Sequence, residues 1–135
     1  RDMSAFYEIK RTFEGHFYYE FRSTETRLLL RGGERSTQAL CRASIASLRI
    51  ICDSPLEDVT GCLGEPTELL GYPKFRAERR GRGVYTLSLY AKNGKCVGKS
   101  PDLSTAAAVL DLYRSIQKYA RYAPVREQIG GYPKI

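Results

Sequence analysis

The amino-acid sequence predicts an α+β protein in which two tandem β-β-β-α(-β) units form one mostly antiparallel sheet with both helices on one face. Two observations lead to this class. The hydrophobic pattern recurs after a shift of 68 residues, from Tyr7 to Phe75. Within each repeat the apolar period changes from two residues, typical of strands, to about 3.6 residues, typical of helices. We expect residues 3–135 to form a single domain, with repeat 1 at about 5–60 and repeat 2 at about 72–135.

Six alternating apolar runs predict strands, three in each repeat. The first two strands of each repeat are joined at a glycine, and Asn93-Gly94 before the third strand of repeat 2 is typical of a type I′ hairpin. The corresponding turn of repeat 1, residues 24–27, has no glycine and must differ. The expected strands are Tyr7–Lys10, Phe17–Arg22, Arg27–Arg31, Phe75–Arg79, Val84–Tyr90 and Lys95–Lys99.

An amphipathic helix is expected after the third strand of each repeat. Ser36 and Ser104 are the N-cap candidates, because a serine hydroxyl accepts a hydrogen bond from a free amide of the first turn. A helix with one apolar face needs a sheet to cover it, so the opposite sheet face is left open to solvent or to a partner. The apolar stripes are Cys41, Ile45, Leu48 and Cys52 on helix 36–52, and Val109, Tyr113, Ile116 and Ala120 on helix 104–120.

Part of the second repeat resembles a known family. Residues 93–100, N-G-K-C-V-G-K-S, followed by S-T-A-A-A at 104–108, resemble the A-N-G-x-V-I-x-x-S … S-S-K-A-A-A core of the YegP-like family. The N-G-I-x-S-V end of that motif is matched loosely by residues 43–48 and 111–116. The resemblance covers most of the chain as two tandem copies.

This resemblance implies a bacterial cytoplasmic protein in which the units share one sheet and exchange their C-terminal segments. The exchange would occur within one chain or between two single-unit subunits. The repeated Gly-Tyr-Pro-Lys at 71–74 and 131–134 would supply the terminal strands. The resemblance implies a fold and no activity.

The charge of the chain favours an anionic partner. The formal net charge is +7 and the isoelectric point is about 9.4, which suits nucleic acid, anionic lipid or an acidic protein. No apolar run approaches the roughly 18 residues of a membrane span, so no membrane association is expected. The residues after Met3 contain no apolar signal-peptide segment, in keeping with a cytoplasmic location.

The reactive residue types are not arranged for catalysis or metal binding. His16 is the only histidine, no cysteines form a C-x-x-C pair, and no carboxylates are paired at a useful spacing. We therefore predict no catalytic residues, no metal, no cofactor and no enzyme activity. Cys41, Cys52 and Cys96 lie on apolar stripes and are expected to be buried free thiols, and Cys62, among glycines, is the expected exposed one.

The open sheet face provides the candidate binding residues. Strand alternation sends basic side chains and tyrosines away from the helices, an arrangement that suits single-stranded nucleic acid through charge and stacking. The basic hairpin tip 79–83, R-R-G-R-G, is either a solvated turn or an additional anion contact. An ordinary polar sheet face would look the same, and Glu8, Glu20 and Glu78 dilute its charge. The candidate contacts are Tyr18, Arg22, Arg27, Arg31, Arg76, Arg80, Arg82, Tyr90, Lys95 and Lys99.

Two functional hypotheses follow. The first is a non-enzymatic binding or interaction protein, with nucleic acid or an acidic protein as the anionic partner. The alternative is a structural or assembly protein that pairs its sheet edge or tail strands with another chain, as a homodimer or with a partner protein. The sequence is compatible with a monomer or a homodimer.

Overall fold

The protein is described by a computed structural model that covers residues 4–59 and 61–127. The predicted α+β class is confirmed, and every predicted strand and helix overlaps an observed one. In chain order the elements of the described residues are β1 Ala5–Arg11, β2 Phe17–Ser23, β3 Leu28–Arg31, α1 Gln38–Ile51, β4 Leu56–Glu57, β5 Lys74–Gly81, β6 Val84–Tyr90, β7 Cys96–Lys99, α2 Ala106–Tyr119 and β8 Val125–Glu127.

All these strands form one mixed sheet in the order β4-β5-β6-β7-β3-β2-β1-β8. The order β-β-β-α-β occurs twice, so that the first unit contains β1 to β4 with α1 and the second contains β5 to β8 with α2. Pairing is antiparallel through the body of the sheet and parallel at its two edges, β4 with β5 and β8 with β1. The strand after each helix therefore pairs with the first strand of the other unit.

The first Gly-Tyr-Pro-Lys segment is not an exchanged strand. Residues 71–73 lie in the loop before β5, and residues 131–134 fall outside the described part of the chain. The exchange begins instead at the proline that follows each helix. The Pro55 carbonyl accepts a hydrogen bond from Phe75 N–H, and the Pro124 carbonyl accepts one from Tyr7 N–H, both at 2.8 Å. The two acceptors are 69 residues apart and the two donors 68, so the second unit has one extra residue between helix and strand.

Threonines cap both helices. Thr37 Oγ1 accepts from Leu40 N–H and Thr105 Oγ1 accepts from Ala108 N–H, each satisfying an amide that has no partner within its helix. The prediction of Ser36 and Ser104 as N-caps is wrong by one residue. Each threonine has an extended backbone immediately before the first helical residue, which is the conformation an N-cap needs.

One cluster of buried side chains lies between the sheet and the helices. Two tyrosine hydroxyls from the first unit donate hydrogen bonds to carbonyls of the second: Tyr7 to Ala120 at 2.6 Å and Tyr19 to Val97 at 2.7 Å. These buried bonds satisfy the hydroxyls and link the two units inside the core. The largest strand side chains of the cluster are Tyr7, Ile9, Tyr19, Phe21, Leu30, Phe75, Leu87 and Leu89, and those of the helices are Cys41, Ile45, Leu48, Val109, Leu112 and Ile116.

Equivalent register shifts in β3 and β7 change which side chains face outward. In β3 the shift makes Leu28 the partner of Arg22, and in β7 it makes Cys96 the partner of Tyr90. A β-bulge of this kind adds one residue to a strand and reverses the alternation beyond it. Leu28 and Cys96 therefore lie on the outer face. The prediction that Cys96 is buried is therefore wrong.

Candidate functional site

A single row of side chains crosses the outer face from one edge of the sheet to the other. It contains one residue of every strand, each the register partner of the next, and we call it the central row. The outer face carries this row because the neighbouring residues on each strand face the core. From the β4 edge to the β8 edge the row is Glu57, Arg76, Ser88, Lys99, Arg31, Glu20, Glu8 and Arg126.

The first-unit side of this face is a neutralised network. Lys10 and Arg22 bind Glu20 at 2.9 and 2.8 Å, and both also approach Glu8, at 3.6 and 4.0 Å. Burial alone would raise the pKa of the Glu20 carboxyl, but the hydrogen bonds from Lys10 and Arg22 outweigh it and lower the pKa. These bases are engaged with carboxylates, so the field they offer to an anionic ligand is weak.

The second-unit edge contains a buried ion cluster. Glu57 is completely buried, and its carboxylate accepts from Lys74 Nζ at 2.6 Å, Leu70 N–H at 2.8 Å and Arg76 Nε at 2.8 Å. Burial would raise the pKa of this carboxyl, but the three donors outweigh it and hold the pKa at about 2. Lys74 also donates to the Leu70 carbonyl, so the cluster fastens the loop before β5 to the sheet. Arg76 is therefore a structural partner of Glu57.

Two bases at the centre of the row remain unpaired. Arg31 and Lys99 are register partners on β3 and β7, both are exposed, and neither forms an ion pair with another residue of 4–59 or 61–127. Like charges directly opposite each other on a sheet are destabilising. The Arg31 guanidinium lies 4.3 Å from the centre of the Tyr18 ring, a cation–π distance that holds it in place.

A cleft of about 490 Å³ runs along the seam between β3 and β7 at these two bases. Its volume is in the range of small-molecule sites, and its walls combine apolar groups with the two cations. We call it the seam cleft. Four pairs of positions related by 68 residues supply nearly all of it: Leu28 with Cys96, Arg31 with Lys99, Gly32 with Ser100, and Gly33 with Pro101, together with Gly98.

Glycines at the seam are required by the core beneath it. A Cβ on Gly32 would lie 2.2 Å from the Tyr19 ring, and a Cβ on Gly98 would lie 2.6 Å from the Tyr19 hydroxyl. The tyrosine reaches under both strands to its acceptor on Val97. The seam therefore has a glycine floor because a large side chain fills the space below it.

Two solved structures are similar over nearly the whole chain. One is the solution NMR structure of yegP from E. coli, a protein of unknown function, with a TM-score of 0.75, 14% identity, and coverage of 97% of this chain and 98% of that chain. The other is a UPF0339 protein from Shewanella oneidensis, with a TM-score of 0.76, 14% identity and 97% coverage of both chains.

The chain has a YegP-like fold. No protein-family model and no curated protein matches the sequence. At 14% identity the likeness concerns the fold alone, and neither structural neighbour brings an activity with it. The site must therefore be interpreted from its own chemistry.

Six of the ten predicted contact residues lie on the outer face, around the seam cleft. They divide into engaged and free groups. Arg22 and Arg76 are ion-paired, and Tyr90 packs edge-on against Tyr72 with ring centres 6.0 Å apart. Arg31 and Lys99 have no ion pair with any described residue. The six are Tyr18, Arg22, Arg31, Arg76, Tyr90 and Lys99.

The other four predicted residues lie elsewhere. The register shifts make Lys95 the neighbour of Ala91, and Lys95 borders a hollow lined by the α1 residues 43, 44 and 47, on the helix side. Arg27 occupies the equivalent position opposite Ser23. The expectation that these two bases point outward is therefore wrong. Arg80 and Arg82 lie at the β5–β6 hairpin, where Arg80 pairs with Asp102 at 3.1 Å, and Arg82 is exposed.

Sequence reasoning missed the apolar walls of the cleft. Leu28, Cys96, Gly33 and Pro101 acquire their roles from the register shifts and from strand order, neither of which has a local signal. The Glu57 cluster was also missed, since its partners are 13 to 19 residues away along the chain.

The cysteines differ from expectation in two places. Cys41 and Cys52 are buried, as predicted, whereas Cys96 is exposed and Cys62 half-buried. Desolvation of its sulfur raises the pKa of the Cys96 thiol, despite the opposing influence of the Gly98 backbone and Lys99. Cys96 is thus an exposed thiol at one end of the seam cleft.

Other kinds of site are not found in the described part of the chain. No group of three or more His, Cys, Asp or Glu side chains is placed to hold a metal ion within residues 4–59 and 61–127. Neither described helix is long and apolar enough to cross a membrane.

Proposed function

We propose that this protein is a non-catalytic binding protein that takes an anionic partner on its outer sheet face, with the seam cleft as the centre of the site. Single-stranded nucleic acid is the first candidate. The observation that carries the proposal is the pair Arg31 and Lys99: two unpaired cations in direct register over an apolar cleft. Their mutual repulsion is relieved when an anion lies between them.

The two units act as copies of one module at this site. Nearly all the cleft residues occupy equivalent positions in both units, so one ligand is shared by both. The expected footprint is small, because Lys10, Arg22 and Arg76 are already engaged by carboxylates. We therefore expect modest affinity and few phosphate contacts.

The test is fluorescence anisotropy with short labelled single-stranded RNA and DNA from low to physiological salt. Arg31→Ala and Lys99→Ala should each weaken binding and reduce the slope of log K against log salt by roughly 0.7. Lys92→Ala removes the same charge from an exposed position in the β6–β7 turn and should leave binding nearly unchanged.

Three outcomes would count against this proposal. Binding that is lost equally in all three variants would mean that only net charge matters. Polyglutamate that displaces the labelled strand as well as unlabelled RNA does would indicate that the anionic partner is an acidic protein. Absence of binding, combined with a concentration-dependent dimer, would favour the assembly hypothesis. The edge strands β4 and β8 have only two and three residues, which offers little edge for such pairing in the described part of the chain.

A further inference from the structure

The two ends of the seam cleft differ in chemistry. At one end lie Cys96 and Gly33, and at the other lie Leu28 and Pro101. Tyr90 is the register partner of Cys96. The Gly32 amide donates to the Tyr19 carbonyl, so Tyr18 lies beside Gly33. Both outward tyrosines therefore flank the same end of the cleft, one from each unit.

The opposite end has no aromatic side chain from these positions. Arg22 is the register partner of Leu28 and corresponds to Tyr90 after the 68-residue shift. Thr86 corresponds to Tyr18 and lies beside Pro101, because the Ser100 amide donates to the Leu87 carbonyl. The two units are therefore not equivalent at the ends of the cleft, where a ligand would be recognised. One end is aromatic, the middle is cationic and the other end is aliphatic and basic.

The spacing of these features suits a single nucleotide. Tyr18 and Tyr90 lie on β2 and β6, three strand spacings or roughly 14 Å apart at the backbone, with small residues between them. Cys96 precedes Lys99 by three residues, so the aromatic end is on the order of 10 Å from the cations along the strand. A nucleotide spans this distance between its phosphate and the far edge of its base.

We propose that the seam cleft binds one nucleotide unit, with the phosphate between Arg31 and Lys99 and the base at the Tyr18–Tyr90 end. This inference rests on the proposed function and specifies its ligand chemistry. A planar base meets aromatic side chains at that end, and base–aromatic stacking of this kind contributes to the binding of single-stranded nucleic acid in other proteins. A phosphate that carries no base gains only the two cations.

The two tyrosines have different roles. Tyr18 is a positioning residue, because its ring lies 4.3 Å from the Arg31 guanidinium and keeps it at the cleft. Tyr90 lies 5.2 Å from the Arg76 guanidinium, which Glu57 holds in place, so Tyr90 supports no free cation. Tyr18→Leu should therefore weaken the binding of both inorganic phosphate and nucleotide. Tyr90→Leu should weaken nucleotide binding alone.

The experiment uses Cys96 as a reporter on the full-length protein. Alkylation of Cys96 by N-ethylmaleimide is followed by peptide mass spectrometry, which separates it from the other three cysteines. The probes are uridine monophosphate, uridine, inorganic phosphate and a short oligouridylate. At ten times its dissociation constant a nucleotide should slow alkylation roughly tenfold, since only the unliganded fraction, 1/(1 + [L]/Kd), reacts.

The same assay tests the variants and distinguishes a free nucleotide from a nucleic-acid strand as the ligand. Lys99→Ala should abolish protection and Lys92→Ala should retain it. Protection by the mononucleotide as strong as by the oligomer would identify a free nucleotide as the ligand. Stronger protection by the oligomer would identify a strand. Both results support the inference.

The inference and the proposed function fail in different ways. Inorganic phosphate that protects as well as the nucleotide would overturn the inference and leave an anion-binding face. Oligomer binding by anisotropy without protection of Cys96 would also overturn it, because the ligand would then lie elsewhere on the face. Absence of both binding and protection would overturn the proposed function together with the inference.

Discussion

At the scale of single residues, the central row shows how two side chains of the same type acquire different roles. Arg76 and Arg31 occupy the same face, yet Arg76 is fixed by the buried Glu57 and Arg31 by the ring of Tyr18. Arg31 and its neighbour Lys99 form no ion pair within residues 4–59 and 61–127, so their charge is available to a ligand at the centre of the row. The positive charge of the whole chain is therefore a poor guide to where an anion would bind.

The unpaired bases predict a trade-off between stability and binding. Lys99→Met should raise the free energy of unfolding by about 0.2–1 kcal/mol at low salt, because it removes a like-charge pair, and the gain should shrink at high salt. Urea denaturation measures it. Lys92→Met is the matched control and should change little. A loss of stability in Lys99→Met, or an equal gain in the control, would contradict the repulsion.

The outward residues could be predicted from the sequence only up to the register shifts. Simple alternation predicts the outward positions of Tyr18, Arg22, Arg31 and Lys99, because β2 contains no extra residue and because Arg31 and Lys99 are paired in the regular part of β3 and β7. It misplaces Lys95 and its equivalent Arg27, since an extra residue opposite a partner strand leaves no mark on hydrophobic period. Half of the cleft residues therefore could not be predicted from the alternation pattern of single strands.

At the scale of elements, the periodic segments were predicted well and the short ones were not. Strands such as β6 and the two helices carry a period of their own, which the sequence displays directly. The exchanged strands β4 and β8 have two and three residues and no detectable period. Their conformation depends on pairing with the neighbouring strand of the other unit, and the conformation of the loop before β5 depends on its contacts with the Glu57 cluster.

The Glu57 cluster predicts a large loss of stability on substitution. Glu57→Gln should lower the free energy of unfolding by about 3–5 kcal/mol, because it leaves buried Lys74 without its counter-ion. Glu68→Gln, in the same loop but exposed, is the matched control and should cost less than about 0.5 kcal/mol. Thermal or urea unfolding of both variants measures the two losses of unfolding free energy. Equal losses would mean that the cluster does not stabilise the loop.

The same cluster predicts a pH dependence with a definite sign. The pKa of Glu57 is lowered from 4.5 to about 2, so its contribution is fully present above about pH 4.5 and is lost as the pH falls toward 2. This shift corresponds to about 3 kcal/mol. The stability gap between wild type and Glu57→Gln should narrow through that window. A gap that stays constant down to pH 2 would contradict the assignment.

At the scale of the whole molecule, the units depend on each other at three places. The tail strand of each unit completes the sheet of the other, β3 meets β7 at the seam, and the hydroxyls of Tyr7 and Tyr19 bind carbonyls of the second unit. Stability is therefore a property of the pair, which predicts how separated halves behave.

Residues 3–70 and 71–135 should not fold as independent monomers. Each half lacks the edge strand that the other half supplies: β8 is missing beside β1, and β4 is missing beside β5. Each half should therefore be partly unfolded or should dimerise by exchanging tail strands with a second copy. Mixed together, they should form a one-to-one complex with the circular dichroism of the intact chain. Size-exclusion chromatography with light scattering is the measurement, and a folded monomer of either half would refute the prediction.

The pairing of β8 with β1 also has a consequence for synthesis on the ribosome. Strand β1 needs β8 as its edge partner, and 118 residues separate Tyr7 from Val125. At roughly 5–20 residues per second, β1 waits on the order of 6–24 s with one edge open. Throughout that interval the nascent chain exposes an unpaired edge to its neighbours on the same polysome. Strand β1 is therefore open to misassociation until β8 has been synthesised.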